Sequence, residues 1–133
     1  MRFSKPIFLL ILICAALFAL TACAKKEPRI AVEPAAQELG ELPQQKIELV
    51  YTVRNDGESE LQIEKISTSC DCTKASIAQD KIAPGQSSVL TVTLDPTEDN
   101  LYGDITRLIY LRSNDPENPE VSVEFHVIIQ KPE

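Results

Sequence analysis

The chain has 133 residues, of which 13 are Lys or Arg and 20 are Asp or Glu, so its formal net charge is −7. This acidity argues against nucleic acid or anionic lipid headgroups as partners, because like charges repel. The length suffices for one domain and excludes an array of several.

The first 22 residues have the layout of a bacterial export signal. Arg2 and Lys5 give a positive start, an uninterrupted apolar run ends at Leu20, and Thr21-Ala22 supplies small residues before a cleavage site. The alternative, a single transmembrane anchor, needs about 20 predominantly apolar residues, and this run is shorter. We therefore predict a cleaved signal peptide at residues 1–22.

A cysteine follows the predicted cleavage site directly. The sequence Leu20-Thr21-Ala22-Cys23 resembles a bacterial lipobox, which implies acylation of Cys23, for example with palmitate, and membrane attachment. Two acyl chains suffice for stable anchoring, since each buried methylene adds about 0.8 kcal/mol. Ala24 stands where Gram-negative lipoproteins retained at the inner membrane have Asp. In a Gram-negative cell the resemblance therefore implies an outer-membrane address facing the periplasm.

The residues after Cys23 are charged and include Pro28, as expected of a tether that lifts a domain off a membrane. We assign residues 23–30 to this tether and residues 31–133 to a folded domain. Removal of the signal leaves 111 residues with 11 basic and 20 acidic side chains, a charge of −9 (11 − 20). A chain of this size can close a core without disulfides.

The remaining sequence consists of short apolar alternations separated by turn residues, with no sustained helical period. The predicted strands cover residues 46–54, 61–66, 89–94, 105–112 and 121–130. The predicted turns and loop are Asn55-Asp56-Gly57, Ala83-Pro84-Gly85-Gln86 and residues 113–119. This pattern predicts an all-β fold, an immunoglobulin-like β-sandwich of about seven strands, with a small barrel as the alternative. The chain has no Trp, so the Cys, Trp, Cys pattern of antibody domains is missing.

Several short segments occur in an order that resembles the bacterial domain of unknown function 1573 family. They are Leu39-Gly40-Glu41-Leu42, Val53-Arg54-Asn55-Asp56-Gly57, Leu61-Gln62-Ile63, Thr68-Ser69-Cys70-Asp71-Cys72-Thr73, Ile82-Ala83-Pro84-Gly85 and Ser113-Asn114-Asp115. The resemblance covers roughly residues 31 to 129 and implies an exported domain akin to the Hydin and major-sperm-protein group. It implies no established activity. The family's pattern has Gly where this chain has Asp71.

Cys70 and Cys72 are the remaining thiols, because Cys14 lies in the signal and Cys23 is the predicted lipid site. In an extended strand, residues two apart share a face at a spacing of about 6.6 Å. That spacing exceeds the mean Cβ separation of a disulfide, roughly 3.8 Å, so a bond requires the Asp71 backbone to bend.

Three interpretations of this pair remain open. The thiols are packed at a strand end, or they form a soft-metal site or thiol relay suited to Cu(I), or they form a reducible disulfide that takes part in thiol exchange. Zinc needs two further ligands, and His126 is expected on the outer face of the last strand. No metal site is therefore assigned, and Cu(I) at Cys70 and Cys72 is the one cofactor that the sequence suggests.

No catalytic constellation is evident in the sequence, which has one His, no Gly-rich phosphate loop and no Ser-x-x-Lys motif. We therefore expect a non-enzymatic, membrane-anchored module that binds a protein of the cell envelope or has a structural role there. The alternative is a periplasmic protein that handles thiols or copper through Cys70 and Cys72.

Overall fold

The computed structural model describes residues 24–133, so the predicted signal peptide and the lipid site at Cys23 lie outside it. All regular structure in this segment is β-strand, which confirms the predicted fold class. From residue 24 onward, no helix is long and apolar enough to cross a membrane. The strands are β1 (Ile30–Glu33), β2 (Ala36–Leu42), β3 (Ile47–Asn55), β4 (Leu61–Thr68), β5 (Thr73–Ile77), β6 (Lys81–Ile82), β7 (Ser87–Leu94), β8 (Gly103–Ser113) and β9 (Glu120–Ile129).

The strands form two sheets, with the orders β1-β3-β7-β5 and β2-β9-β8-β4-β6. All neighbours are antiparallel except β2, which runs parallel to β9 and has a register shift between Glu38 and Glu41. Gly40 lies in this bulge with a φ of 69°, a conformation that costs Gly little. The predicted immunoglobulin-like sandwich is confirmed. Residues 24–133 form nine strands, where about seven were expected.

The core lies between the sheets and follows the predicted alternation. Its alternating members are Ile47, Leu49, Tyr51 and Val53 on β3 and Val123, Phe125, Val127 and Ile129 on β9. Each such side chain contributes about 1.5–3 kcal/mol when fully buried. The Tyr51 hydroxyl donates a hydrogen bond of 2.9 Å to the Glu124 carbonyl, and burial raises the pKa of Tyr51 to about 12.

The predicted turn at Ala83-Pro84-Gly85-Gln86 is confirmed. The Gln86 N–H donates to the Ala83 carbonyl at 3.0 Å, and Gly85 has a φ of 75°. Pro followed by a residue with positive φ is the arrangement of a type II turn, which explains the Gly at this position.

The chain is packed onto the domain before β1 begins. Pro28 is buried, and the Glu58 N–H donates to the Glu27 carbonyl at 2.9 Å. A Cβ added to Gly57 would lie only 2.3 Å from that same carbonyl oxygen, so this close approach requires Gly. The packed domain therefore begins at residue 27, within the segment 23–30 that was predicted to be a tether.

Candidate functional site

Cys70 and Cys72 are joined by a disulfide. They lie between β4 and β5, where the chain crosses from the five-stranded to the four-stranded sheet. Their Cα atoms are 5.2 Å apart, closer than the spacing of about 6.6 Å in an extended strand. The segment is thus a turn. It does not have the extended geometry that would place both thiols on one face of a strand. The backbone at Asp71 bends as a bond between the two cysteines requires.

This turn, residues 70–73, is named the Cys turn below, and it is held by hydrogen bonds that do not involve sulfur. The Thr73 N–H donates to the Cys70 carbonyl at 3.1 Å. The Thr68 hydroxyl lies 2.8 Å from the Cys70 carbonyl and 3.0 Å from the Thr73 carbonyl. Ser69 accepts from the Leu108 N–H through its hydroxyl and donates its own N–H to the Leu108 carbonyl, both at 3.0 Å. Short polar side chains therefore fix the Cys turn to the sandwich.

Asp71 occupies the tip of the Cys turn and is exposed. Among the non-glycine residues from 24 to 133, Asn100 alone has a positive φ. Asp71 therefore replaces the family's Gly without adopting a left-handed backbone, and the turn forms with this substitution.

The two sulfur atoms have different surroundings. Both cysteines are half-buried, and Cys72 packs against the hydrophobic core. The Cys72 N–H donates to Cys70 Sγ at 3.2 Å, and the Thr73 hydroxyl lies 3.8 Å from Cys72 Sγ. Cys72 also lines a pocket of about 100 Å³. The other residues that line this pocket are Lys46, Lys74, Thr93, Asp95 and Glu98.

Within residues 24–133, no group of three or more His, Cys, Asp or Glu side chains has an arrangement that could hold a metal ion. Both sulfurs of the predicted Cu(I) pair are bonded to each other, and a disulfide offers no thiolate ligand. Cu(I) binding at Cys70 and Cys72 therefore stays a prediction about the reduced protein.

His126 lies on the outer face of β9, where it was expected, and it bridges three strands. Its Nδ1 is 2.7 Å from Glu38 on β2, and its Nε2 is 2.8 Å from Asp104 on β8. Hydrogen bonds to these two carboxylates raise the pKa of His126. Both ring nitrogens are thus occupied by side chains on its own sheet, which gives His126 a role in holding β2 to β9.

One edge of the four-stranded sheet, the outer edge of β5, is unpaired. The Ala78 N–H donates to the Val89 carbonyl at 2.9 Å, and Ser76 lies opposite Thr91 in the same register. Because such bonds recur at every second residue of an antiparallel pair, the backbone groups of Ala75 and Ile77 point away from β7. No strand among the described residues pairs with β5 on that side. This row of backbone donors and acceptors is named the β5 edge below.

The other sheet edges are short or interrupted. On β1, a strand of four residues, the Ile30 N–H is capped by Asp115 at 2.9 Å. The bulge at Gly40 interrupts β2, and β6 has two residues. Short strands, bulges and caps are devices that prevent a sheet edge from pairing with other chains. On the β5 edge, Thr73 is capped by the Cys70 carbonyl and the Thr68 hydroxyl, and Lys74 adds a charge. The register is nevertheless continuous over five residues, and the outward groups of Ala75 and Ile77 have no strand partner among residues 24–133.

Two buried polar side chains explain much of the family pattern. The Asn55 amide accepts from the Gly57 N–H at 2.9 Å and donates to the carbonyls of Ser59 and Ile82 at 2.8 and 2.9 Å. Asp115 is 1 % exposed, and the N–H groups of Ile30, Glu117 and Asn118 donate to it at 2.9 to 3.2 Å. Burial alone would raise the pKa of Asp115, but these donors outweigh it and lower that pKa. The Asn-Asp-Gly and Ser-Asn-Asp segments are therefore structural.

Three features of the site were missed by reasoning from the sequence. These are the β5 edge, the position of Lys46 beside Cys72, and the carboxylates on both sides of His126. Each depends on which strands become neighbours, since β7 lies between β3 and β5 in one sheet and β9 lies between β2 and β8 in the other. For the Cys turn, the sequence does contain a local signal. The Ser and Thr residues around the cysteines favour a turn over an extended strand.

The two sheets define an immunoglobulin-like β-sandwich domain. A family model described as protein of unknown function, DUF1573, matches residues 30–127. The chain therefore belongs to the DUF1573 family, which confirms the family resemblance of the sequence. No curated protein matches it.

Solved structures with the same architecture come from distant proteins. A protein of unknown function from Porphyromonas gingivalis W83 is 20% identical with a TM-score of 0.71, and the match covers 81% of this chain and 50% of that one. The PapD-like domain 7 of human CEP192 is 8% identical with a TM-score of 0.59, covering 80% and 89%. The Vibrio cholerae VesB protease is 15% identical with a TM-score of 0.61, covering 74% and 31%.

These likenesses establish the fold alone, because all identities are low. The chain spans about half the length of the Porphyromonas protein and about a third of the protease. A domain of unknown function with this fold is consistent with a binding or structural module.

Proposed function

We propose that this protein is a lipid-anchored, non-enzymatic binding module of the cell envelope that accepts an extended segment of another envelope protein along the β5 edge. The unpaired edge itself carries the proposal. Ala75 and Ile77 present outward backbone groups, and strand addition uses such groups as its hydrogen-bonding template. An edge strand with unpaired backbone N–H and C=O groups is a template for pairing with another chain.

The lipobox-like sequence ending at Cys23 supports the location of the module. Packing begins at residue 27, so residues 24–26 separate the domain from the proposed lipid site. Three extended residues span about 10 Å, which holds the domain close to the bilayer. In a Gram-negative cell this surface is the periplasmic face of the outer membrane, and the partner is an envelope protein that reaches it.

A second candidate function is thiol or copper handling by Cys70 and Cys72. This candidate is favoured because Cys70 and Cys72 are both half-buried and their sulfur atoms lie together in one turn. Cu(I) would bind the reduced pair, because thiolates are the soft ligands that it prefers. A dimer or a partner would complete the coordination.

The test uses Ala75→Pro in the full chain, expressed in its source cell and extracted from the membrane fraction. Proline at a position whose N–H points outward keeps the pairing with β7 and removes one docking donor. We expect the domain to stay folded and to lose its copurifying envelope partner at least tenfold. The Cys23→Ser variant should be recovered in the soluble fraction.

The control is a Cys70→Ser, Cys72→Ser double variant, which keeps the β5 edge. Retention of the partner by this variant supports strand addition. Partner loss in the Ser variant together with retention in Ala75→Pro would contradict it and favour the thiol function. Sedimentation of the purified domain tests self-pairing, since dimers that Ala75→Pro abolishes would show that the edge takes a second copy instead.

A further inference from the structure

We propose that the Cys70–Cys72 disulfide exchanges with a dithiol of another exported protein, and that the incoming thiolate attacks Cys72 Sγ. This inference is independent of strand addition along β5. Variants that lack both sulfurs keep the outward backbone groups of Ala75 and Ile77, so the two proposals can fail separately.

The pocket beside the disulfide identifies the sulfur that a partner reaches. Cys72 lines it together with Lys46 and Lys74, and Cys70 is not among the lining residues. A thiolate is the attacking species in exchange, and cations beside a disulfide draw it in. Asp95 and Glu98 line the same pocket and equal the two lysines in formal charge, so the attraction for a thiolate is local to the lysine side chains. The pocket, of about 100 Å³, admits a narrow group such as a single thiolate side chain.

The leaving sulfur, Cys70 Sγ, already accepts a hydrogen bond. When the bond breaks at Cys72, the electron pair stays on Cys70 Sγ. The Cys72 N–H already donates to that atom at 3.2 Å, and this bond strengthens when its acceptor becomes an anion. A stabilised thiolate leaves faster, which favours attack at Cys72 over attack at Cys70.

The exchange balances without a further oxidant. The first partner thiolate forms a bond to Cys72 Sγ, and Cys70 leaves as a thiolate. The second partner thiolate then attacks the partner sulfur of this mixed disulfide and releases the Cys72 thiolate. The partner loses two electrons and two protons and becomes a disulfide, while Cys70 and Cys72 take up both and become thiols.

A purely stabilising role explains the disulfide poorly. The loop that it closes is so short that the bond removes little entropy from the unfolded chain. Thr68, Ser69 and the Thr73 N–H hold the Cys turn without any contribution from sulfur. The turn therefore keeps its shape while the disulfide opens and closes.

The experiment treats the oxidised, folded protein with reduced glutathione at pH 8 and quenches early time points with iodoacetamide. Peptide mass spectrometry then locates the two adducts. We expect glutathione on Cys72 and the alkyl group on Cys70. Glutathione mainly on Cys70, an equal mixture at the earliest times, or exchange that begins only in unfolding concentrations of urea would each overturn the proposal.

The lysines are tested by the rate of this reaction. A Lys46→Gln, Lys74→Gln variant should react about threefold to tenfold more slowly with glutathione, whose attacking thiolate form is doubly anionic, and should slow less with 2-mercaptoethanol, whose attacking thiolate is singly charged. The matched control is Lys65→Gln, Lys81→Gln, which changes the net charge equally away from the pocket. Equal slowing in both variants would show that the pocket lysines do not guide the thiolate.

Discussion

Single residues fix the start of the folded domain. Gly57 lets the backbone of residues 27–29 pass where a Cβ would meet three backbone atoms at 2.3 to 2.7 Å. Asn55 closes the same corner, because its amide accepts from the Arg29 N–H at 3.3 Å and from the Gly57 N–H at 2.9 Å. These contacts bring the domain close to the proposed lipid site at Cys23.

Gly57→Ala should destabilise the domain by about 2 to 3 kcal/mol. The added methyl group overlaps backbone atoms of residues 27–29, which would have to move away from the domain. Urea unfolding measures this loss, and hydrogen exchange should show faster exchange of the Glu58 N–H. Gly85→Ala is the comparison, because it has open space around the added Cβ and a φ of 75°. Its cost of about 1 to 2 kcal/mol comes from backbone conformation alone. Unchanged protection of Glu58 in Gly57→Ala would contradict the packing described.

At the scale of strands, His126 holds β2 against β9 and β8. It bridges Glu38 and Asp104, and both carboxylates raise its pKa. Glu124, two residues earlier on β9, is a further acidic group on the exposed side of this strand. The positive form of His126 is therefore the form that the folded state favours.

The free energy of unfolding should fall as the pH rises from 6 to 8. A raised pKa in the folded state gives stability that is fully present below the ordinary His value of about 6.5 and is lost as the pH passes the folded pKa. Urea unfolding at pH 6, 7 and 8 measures this slope. His126→Gln should flatten it, and Asp99→Asn, a charge change in an exposed loop, should leave it intact. An equal slope in His126→Gln would contradict the bridging role.

The strands that could be predicted from sequence are the long ones with strict alternation. β3 and β9 have one buried set and one exposed set, and β7 is rich in β-branched residues. β1 and β6 have four and two residues, too few for a period to emerge, and β2 contains a bulge. The state of Cys70 and Cys72 stayed open in the sequence, because the residues that fasten the Cys turn include Leu108 on the distant strand β8.

At the scale of the molecule, the sandwich places two different features next to each other. The Cys turn leads directly into β5, so the disulfide lies at one end of the β5 edge. A segment docked along this edge would pass close to the disulfide. The proposed anchor at Cys23 would hold both features near a membrane.

The most direct test of the central claim is site-specific photo-crosslinking in the source cell. A photoreactive residue replaces Ser76, exposed on the edge strand β5, or Glu124, exposed on β9 and paired with β2 on one side and β8 on the other. We predict a discrete crosslinked envelope protein from position 76 that disappears with Ala75→Pro, and none from position 124. Equal crosslinks at both positions, or a position-76 crosslink that survives Ala75→Pro in a folded protein, would contradict binding at the β5 edge.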